Sequence, residues 1–284
     1  MTKPYLLGLY EKSMPNDYSL RQKLEAAKTA GYDYLELSID ETDEKLTRLD
    51  WSTAEIDALR RDMAETGIPV KSICLSGHRR YPLGDPDSTA REKGLAIMEK
   101  AVVLAAALGV RIIQLAGYDV YYKEGSEQTR TLFGENLQKS ADLAAREGVL
   151  LGFETMETPF MDTVEKSMFW VNEVHSPYLH VYPDIGNLTN AALLYHGDVS
   201  ADLMTGAGHL AALHLKETRP GVYREVGYGE GHVDFAGGIR TAWQLGVRMF
   251  VGEFWYLGEA DTPAVLRGNC EFLRRVIGEG AREV

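Results

Sequence analysis

Cysteine and long apolar runs are both scarce in this sequence. Its two cysteines, Cys74 and Cys270, lie far apart in a chain of 284 residues. Two scattered cysteines are too few for a disulfide framework or a zinc–thiolate site, so we expect both to be small buried apolar residues. No stretch approaches the roughly 20 consecutive apolar residues that cross a bilayer as a helix. These absences argue against a disulfide-rich secreted module and against a membrane-spanning protein.

Positive charge is also in short supply. The chain carries 30 Lys and Arg against 42 Asp and Glu, a formal net charge of -12 at pH 7. This balance disfavours anionic partners, so we expect neither nucleic acid nor a membrane surface as a partner. A small anionic substrate is compatible with it, because a few cations at one site can act locally. Residues 1–4 lead straight into a predicted strand without the apolar core of a signal peptide, and we therefore expect a cytoplasmic protein.

Glycine recurs where a helical pattern gives way to an apolar run. Gly31, Gly67, Gly109, Gly148 and Gly246 each stand at such a joint. Glycine suits the left-handed conformation that ends a helix, and each joint returns the chain to a strand parallel to the previous one. The alternation is typical of a closed barrel or of an open doubly wound sheet. About eight strand–helix units favour the barrel, and no G-x-G-x-x-G fingerprint follows the first strand.

We predict one α/β domain, a (β/α)8 TIM barrel that spans residues 1–284. A capping box of Ser52 and Glu55 marks the start of one of its helices, which runs to Gly67. The predicted strands are the apolar runs at residues 5–10, 34–38, 70–76, 110–116, 150–154, 179–184, 210–214 and 249–253.

Four of these apolar runs end in a side chain that can bind a metal ion. The residues are Glu154, Asp184, His214 and Glu253. In a barrel the loops after the strands converge on one face, so these side chains would project into one pocket. Carboxylates with one imidazole suit a divalent ion such as Mn²⁺, Mg²⁺, Co²⁺ or Zn²⁺. One Glu at a strand end is most often part of a salt bridge, and it is the recurrence on consecutive strands that predicts a metal site.

Several long sequence blocks are specific to one enzyme family. They lie at residues 8–12, 40–43, 74–84, 113–122, 182–188 and 228–231. On these blocks the chain resembles, over nearly its whole length, the sugar-phosphate 3-epimerases that interconvert L-xylulose 5-phosphate and L-ribulose 5-phosphate. The resemblance implies a xylose-isomerase-like TIM barrel, a pentulose phosphate as the small-molecule substrate, and a homodimer. It also implies one divalent metal ion, with zinc or manganese favoured over magnesium or cobalt.

The resemblance assigns roles to individual residues. The ligand pattern of the family falls on Glu154, Asp184, His214 and Glu253, and its paired acid and base carboxylates fall on Glu154 and Glu253. Epimerisation beside a ketone would then proceed by proton transfer through a cis-enediolate, with one Glu on each face of the sugar. Asn187, a candidate for holding a substrate oxygen, stands where the 3-epimerases of free sugars carry a His. This difference argues against free hexoses as substrates.

Other polar residues are candidates for contacts with the substrate and its phosphate. Glu157 could bind a sugar hydroxyl or orient Glu154, and Arg224 could reach in from the loop after strand seven. Lys12, Arg79 and Arg80 follow strands one and three on the predicted catalytic face, and the arginine fork matches phosphate oxygens. We therefore predict that these three cations bind phosphate. The alternative is that they are exposed loop residues.

Three other functions fit a barrel of this kind. An aldose–ketose isomerase would move hydrogen between C1 and C2 and would yield an aldose. A metal-dependent endonuclease would need more histidines and a basic face, which the net charge of -12 disfavours. A protein that only senses a sugar phosphate would not need two carboxylates at the metal.

Overall fold

A computed structural model describes residues 3–282 of the chain. Its central sheet consists of eight parallel strands, which are β1 (Leu6–Tyr10), β2 (Tyr34–Ile39), β3 (Val70–Leu75), β4 (Ile112–Ala116), β5 (Leu150–Glu154), β6 (Leu179–Val181), β7 (Leu213–Leu215) and β8 (Met249–Gly252). Their order in the sheet is β6-β5-β4-β3-β2-β1-β8-β7. Isolated parallel bridges from Val181 to Leu210 and from Asp184 to His214 join β6 to β7. These bridges close the ring, so the predicted barrel is confirmed.

Helices follow the strands and cover the outside of the barrel. Short 3-10 turns occupy Glu11–Ser13, Thr47–Asp50 and Gly77–Arg79. The positions 1–2 and 283–284 of the predicted domain lie outside the described residues. The helices are α1 (Leu20–Ala30), α2 (Asp43–Leu46), α3 (Thr53–Thr66), α4 (Ser88–Leu108), α5 (Glu127–Glu147), α6 (Val164–Val174), α7 (Ile185–Tyr195), α8 (Val199–Thr205), α9 (Phe235–Gln244) and α10 (Thr262–Arg282).

Local signals mark the helix ends as expected. Ser52 and Glu55 form the predicted capping box at the start of α3. Gly67 ends that helix with φ 75°, and Gly31 ends α1 with φ 96°. A side chain is strained in this left-handed conformation, which is why glycine stands there. Among the helices of residues 3–282, none combines the length and the apolar character that crossing a bilayer requires.

Strands six and seven are shorter than the predicted runs at 179–184 and 210–214. β6 stops at Val181 because Pro183 has no amide hydrogen to continue the ladder. Leu210 pairs with the neighbouring strand only as an isolated bridge, and β7 begins at Leu213. Asp184 therefore lies beyond its strand, at the start of a helix that the sequence patterns did not predict.

Aromatic side chains fill the barrel interior toward the amino ends of the strands. Tyr34 lies against Gly8, where a Cβ atom would come within 2.4 Å of the ring. The Tyr34 hydroxyl donates to the Phe250 carbonyl oxygen at 3.0 Å. Tyr182 and Val251 pack in the same buried cluster. The barrel interior around Tyr34 and Gly8 is therefore closely packed.

A buried ion cluster secures the turn after β1. Glu11 is fully buried, and its carboxylate accepts from Lys23 Nζ at 3.0 Å, from Lys45 Nζ at 2.7 Å and from both Nη atoms of Arg48. Glu11 Oε2 also accepts from the Ser38 amide at 2.9 Å. Burial by itself would raise the pKa of Glu11, but Arg48 and the two lysines outweigh it and hold the pKa well below its usual range. This one carboxylate ties β1, α1, β2 and α2 together.

We expect Glu11→Gln to lower the free energy of unfolding by about 3–5 kcal/mol, because it leaves buried cations without a counter-charge. The measurement is urea unfolding at neutral pH. Glu44→Gln is the matched control, since Glu44 is exposed beside Lys45, and we expect it to change stability little. Because the folded-state pKa of Glu11 is depressed, its stabilisation is present above the unfolded value of about 4.3 and is lost as the pH falls below it. Equal losses in the two variants would contradict the assignment.

Candidate active site

Four side chains that can bind a metal meet at the carboxyl ends of β5 to β8. Glu154 is the last residue of β5, Asp184 follows β6, His214 lies in β7 and Glu253 follows β8. Each offers one ligand atom, and these atoms all lie within 4.8 Å of one another. All four residues are buried. The structure thus brings together the residues that end successive apolar runs of the sequence.

Asp184 is oriented by the start of α7. As the N-cap of that helix it accepts from the Asn187 amide through Oδ1 at 2.6 Å, and its own amide donates to Thr155 Oγ1 at 3.0 Å. A Cβ atom at Gly186 would come within 2.7 Å of the Lys216 carbonyl oxygen, so glycine allows α7 to begin close to the end of β7. Asp184 Oδ2 has no hydrogen-bond partner within residues 3–282.

The imidazole of His214 lies between carboxylates on both sides. Nδ1 is 3.0 Å from Glu253 Oε2 and 3.9 Å from Glu154 Oε1. Nε2 is 2.6 Å from Oε1 of Glu36, which reaches in from β2. The Gln114 amide nitrogen lies 3.1 Å from each ring nitrogen. The sequence patterns did not single out Glu36, although its place inside a strand of buried residues marks it as a buried charge.

Lys216 is a second residue that the sequence patterns missed. Its ammonium group lies 3.3 Å from Asp184 Oδ2 and 3.5 Å from Glu253 Oε2, and the side chain is almost completely buried. Lys216 stands two residues beyond His214, and in an extended chain such residues point to the same side. That spacing is the signal that could have found it.

The ionisable groups of the cluster shift one another's pKa values. Burial and repulsion by Glu253 raise the pKa of Glu154 to about 8, and burial raises the pKa of Asp184 to about 7. Burial also acts against ionisation of Glu253, but Lys216 and His214 outweigh it and hold the pKa of Glu253 well below its usual range. Despite burial, the carboxylates raise the pKa of His214 and of Lys216. Glu253 is therefore held ionised, whereas Glu154 tends to keep its proton.

The pocket over this cluster contains most of the predicted substrate and phosphate residues. Glu157, Asn187, Arg224, Lys12 and Arg79 all line it. Arg224 Nη2 donates to Glu157 Oε1 at 2.6 Å, so these two candidates are already paired. Asn187 is anchored through Nδ2 to a backbone carbonyl oxygen, and its buried Oδ1 has no hydrogen-bond partner in the described part of the chain. Asn187 therefore keeps one unused acceptor among the described residues.

Two cations near the pocket differ in what they already bind. Lys12 Nζ pairs with Asp40 at 2.5 Å. The Arg79 guanidinium stacks on Tyr121, 4.8 Å from the ring centroid. Arg79 Nε is buried and has no hydrogen-bond partner over residues 3–282. Of the two, Arg79 has donors still available for an anion.

The structure does not bring Arg80 to the pocket. Its guanidinium pairs with Asp43 at 2.6 Å, stacks on Tyr81 and is half exposed. A 3-10 turn spans Gly77–Arg79. Successive side chains in a turn of this type point about 120° apart. One of the two neighbouring arginines therefore faces inward and the other faces solvent.

The donor set fits a divalent metal ion. Glu154, Asp184 and Glu253 offer carboxylate oxygens and His214 offers a ring nitrogen, which Zn²⁺, Mn²⁺ and similar ions accept. Asp184 Oδ2 is a buried acceptor that makes no hydrogen bond among the described residues, although the Lys216 ammonium lies 3.3 Å from it. A cation would also relieve the repulsion between the buried carboxylates. These observations support the predicted ligand set as a candidate metal site.

Comparison with known proteins places this chain in a family. Residues 24–276 match the family model described as "Xylose isomerase-like TIM barrel". The chain is 41% identical over 275 residues to the L-ribulose-5-phosphate 3-epimerase of Shigella flexneri, which covers 96% of this chain and 95% of that protein. It is 44% identical over 265 residues to the enzyme of that name from Salmonella paratyphi A, with 93% and 92% covered.

Solved structures show the same fold. The D-psicose 3-epimerase of Clostridium cellulolyticum H10, solved with D-tagatose, superposes with a TM-score of 0.80 at 16% identity over 96% of this chain and 99% of that one. An L-ribulose 3-epimerase superposes with a TM-score of 0.79 at 15% identity over 98% and 96% of the two chains. The resemblance predicted from the sequence blocks is confirmed by the curated relatives. The chain therefore belongs to the L-ribulose-5-phosphate 3-epimerase family of xylose isomerase-like TIM barrels, a family of isomerases.

Proposed function

We propose that the protein is a metal-dependent 3-epimerase that interconverts L-xylulose 5-phosphate and L-ribulose 5-phosphate. The observation that carries this proposal is the pair Glu154 and Glu253, two buried carboxylates that meet Asp184 and His214 in one cluster able to hold a metal ion. The names of the curated relatives support the substrate. The homodimer implied by the resemblance and the cytoplasmic location expected from the sequence stay predictions.

Inversion at C3 needs a base on one face of the ketose and an acid on the other. Glu253, held ionised by Lys216 and His214, can remove a proton, and Glu154 can supply one. For the reverse reaction the two groups exchange roles. A divalent ion bound at the cluster would polarise the C2 carbonyl and make the C3 proton more acidic. Lys216 adds a fixed positive charge beside the carboxylates, where negative charge develops in the reaction.

The phosphate group of the substrate needs cations at the pocket wall. Arg79 and Lys12 line the pocket, and Arg79 has unused donors. Asn187, which replaces the His of free-sugar 3-epimerases, leaves one acceptor available for a hydroxyl group. These features favour a phosphorylated pentulose over a free hexose.

Product analysis tests the proposal against its rivals. With L-xylulose 5-phosphate in D₂O, we expect L-ribulose 5-phosphate as the product, with deuterium at C3. An aldose product would identify an aldose–ketose isomerase instead. Binding of the sugar phosphate without any exchange would identify a sensor. Either of these outcomes would overturn the epimerase assignment.

We expect Glu154→Gln and Glu253→Gln each to lower turnover by about 10²–10⁴-fold, the usual contribution of a positioned acid or base. Both residues are also candidate ligands, so turnover is compared at saturating Mn²⁺ and the bound metal is measured for each variant. Glu165→Gln is the control, because Glu165 is exposed on α6, and it should keep wild-type turnover. Normal turnover in both active-site variants would rule out the two-carboxylate mechanism.

We expect Arg79→Ala to raise KM for the phosphorylated ketose about 10- to 100-fold with little change in kcat, since a charge-assisted hydrogen bond is worth roughly 1.5–3 kcal/mol. Arg80→Ala is the matched control, because the neighbouring arginine pairs with Asp43 outside the pocket. Steady-state kinetics of the two variants checks this. The same rise in KM for both would mean that the phosphate is not held by Arg79 in particular.

Metal uptake should depend on pH. Asp184 and Glu154 have pKa values raised to about 7 and about 8, and bound protons must leave before these oxygens can coordinate an ion. We therefore expect Mn²⁺ affinity to rise with pH through this window. Calorimetry in buffers of different ionisation enthalpy counts the protons released. Affinity that stays constant from about pH 6 to about pH 9 would contradict the prediction.

A further inference from the structure

His214 is a candidate ligand whose two ring nitrogens have different surroundings. Nδ1 faces Glu253 and Glu154, the carboxylates of the candidate metal site. Nε2 faces Glu36, a carboxylate outside that ligand set. Gln114 lies 3.1 Å from both nitrogens and therefore does not favour one of them.

We infer that Glu36 is a positioning residue that prepares His214 for the metal, by accepting the Nε2 hydrogen and leaving the Nδ1 lone pair directed at the ion. The inference rests on the proposed metal-dependent function and extends it to a residue outside the ligand set. A histidine that coordinates a metal ion is a neutral imidazole, in which only one nitrogen carries hydrogen, and the partner of that nitrogen decides which tautomer is present. Carboxylates in this position also fix the ring orientation.

Glu36 is itself held firmly. It is fully buried in β2, where its Oε1 lies 2.6 Å from His214 Nε2. Its Oε2 accepts from Ser72 Oγ at 2.6 Å and from the Tyr182 hydroxyl at 3.0 Å. A buried carboxylate is costly unless its oxygens are paired, and these contacts satisfy both of them. The carboxylate thus reaches across the barrel interior from β2 to β7 in a single orientation.

The geometry makes Glu36→Gln a sharp test. The amide has nearly the same shape, and its oxygen can still accept from Ser72 and Tyr182. Its NH₂ group would then face His214 Nε2 and donate to it, which moves the ring hydrogen to Nδ1, toward the site of the ion. We expect the Kd for Zn²⁺ to rise about 10- to 100-fold, the usual effect of losing such a partner, and excess Zn²⁺ to restore turnover.

Zinc affinity is measured for the full-length protein by competition with a fluorescent chelator. The matched control is Ser72→Ala, which removes a hydrogen bond to Glu36 Oε2 and leaves the contact of Oε1 with His214. We expect its Kd to stay much closer to the wild-type value. Melting temperatures of the metal-free proteins separate a loss of affinity from a loss of stability.

The outcomes separate the role of Glu36 from the existence of the metal site. Wild-type affinity in Glu36→Gln, or equal losses in Glu36→Gln and Ser72→Ala, would overturn the role of Glu36 while the metal site stands. A wild-type protein that binds no zinc would overturn the proposed metal-dependent function as well. If Glu36→Gln fails to fold, nitrogen-15 spectra of the zinc-loaded wild type decide instead. A hydrogen on His214 Nε2 supports the inference, and one on Nδ1 overturns it.

Discussion

Repulsion between buried carboxyl groups is the constraint on which the site depends. Glu154, Asp184 and Glu253 converge at one end of the barrel with almost no access to water. In such surroundings like charges interact far more strongly than in bulk water. Lys216 and His214 offset part of the negative charge, and their uneven placement leaves Glu253 ionised and Glu154 inclined to hold a proton. Crowded buried acids of this kind are typical of acid–base and metal sites.

The barrel makes this crowding possible because it divides its interior into two regions. Toward the amino ends of the strands, Tyr34 and its neighbours fill the space. Toward the carboxyl ends, the strands direct polar groups to a common point. Proline at position 183 ends β6 early, and the N-cap geometry of α7 then turns Asp184 toward the cluster. A break in regular pairing therefore supplies one of the candidate ligands.

A second group of buried charges lies beside the pocket, at the turn after β1. Glu11 collects Lys23, Lys45 and Arg48 and joins the first two strand–helix units. Lys12, the next residue in the chain, lines the pocket and pairs with Asp40. The rigid turn that holds Glu11 therefore also determines where Lys12 lies. The buried ion cluster and the pocket wall therefore share one turn of the chain.

Local sequence patterns were sufficient for most of the architecture. Glycine at the helix ends, the Ser52 capping box and eight apolar runs predicted the barrel, because these features depend on residues close together in the chain. The four strand-end side chains followed from the same periodicity. The runs before His214 and Asp184 were predicted too long, since strand length also depends on pairing with a neighbour.

The sequence by itself determined the alternation of strands and helices, and with it the candidate ligands at the strand ends. Only the tertiary structure decided which polar groups became partners. It turned Arg79 toward the pocket and Arg80 toward Asp43, and it placed Glu36 against His214 across the barrel. Such pairings depend on distances between residues far apart in the chain, which no local pattern contains.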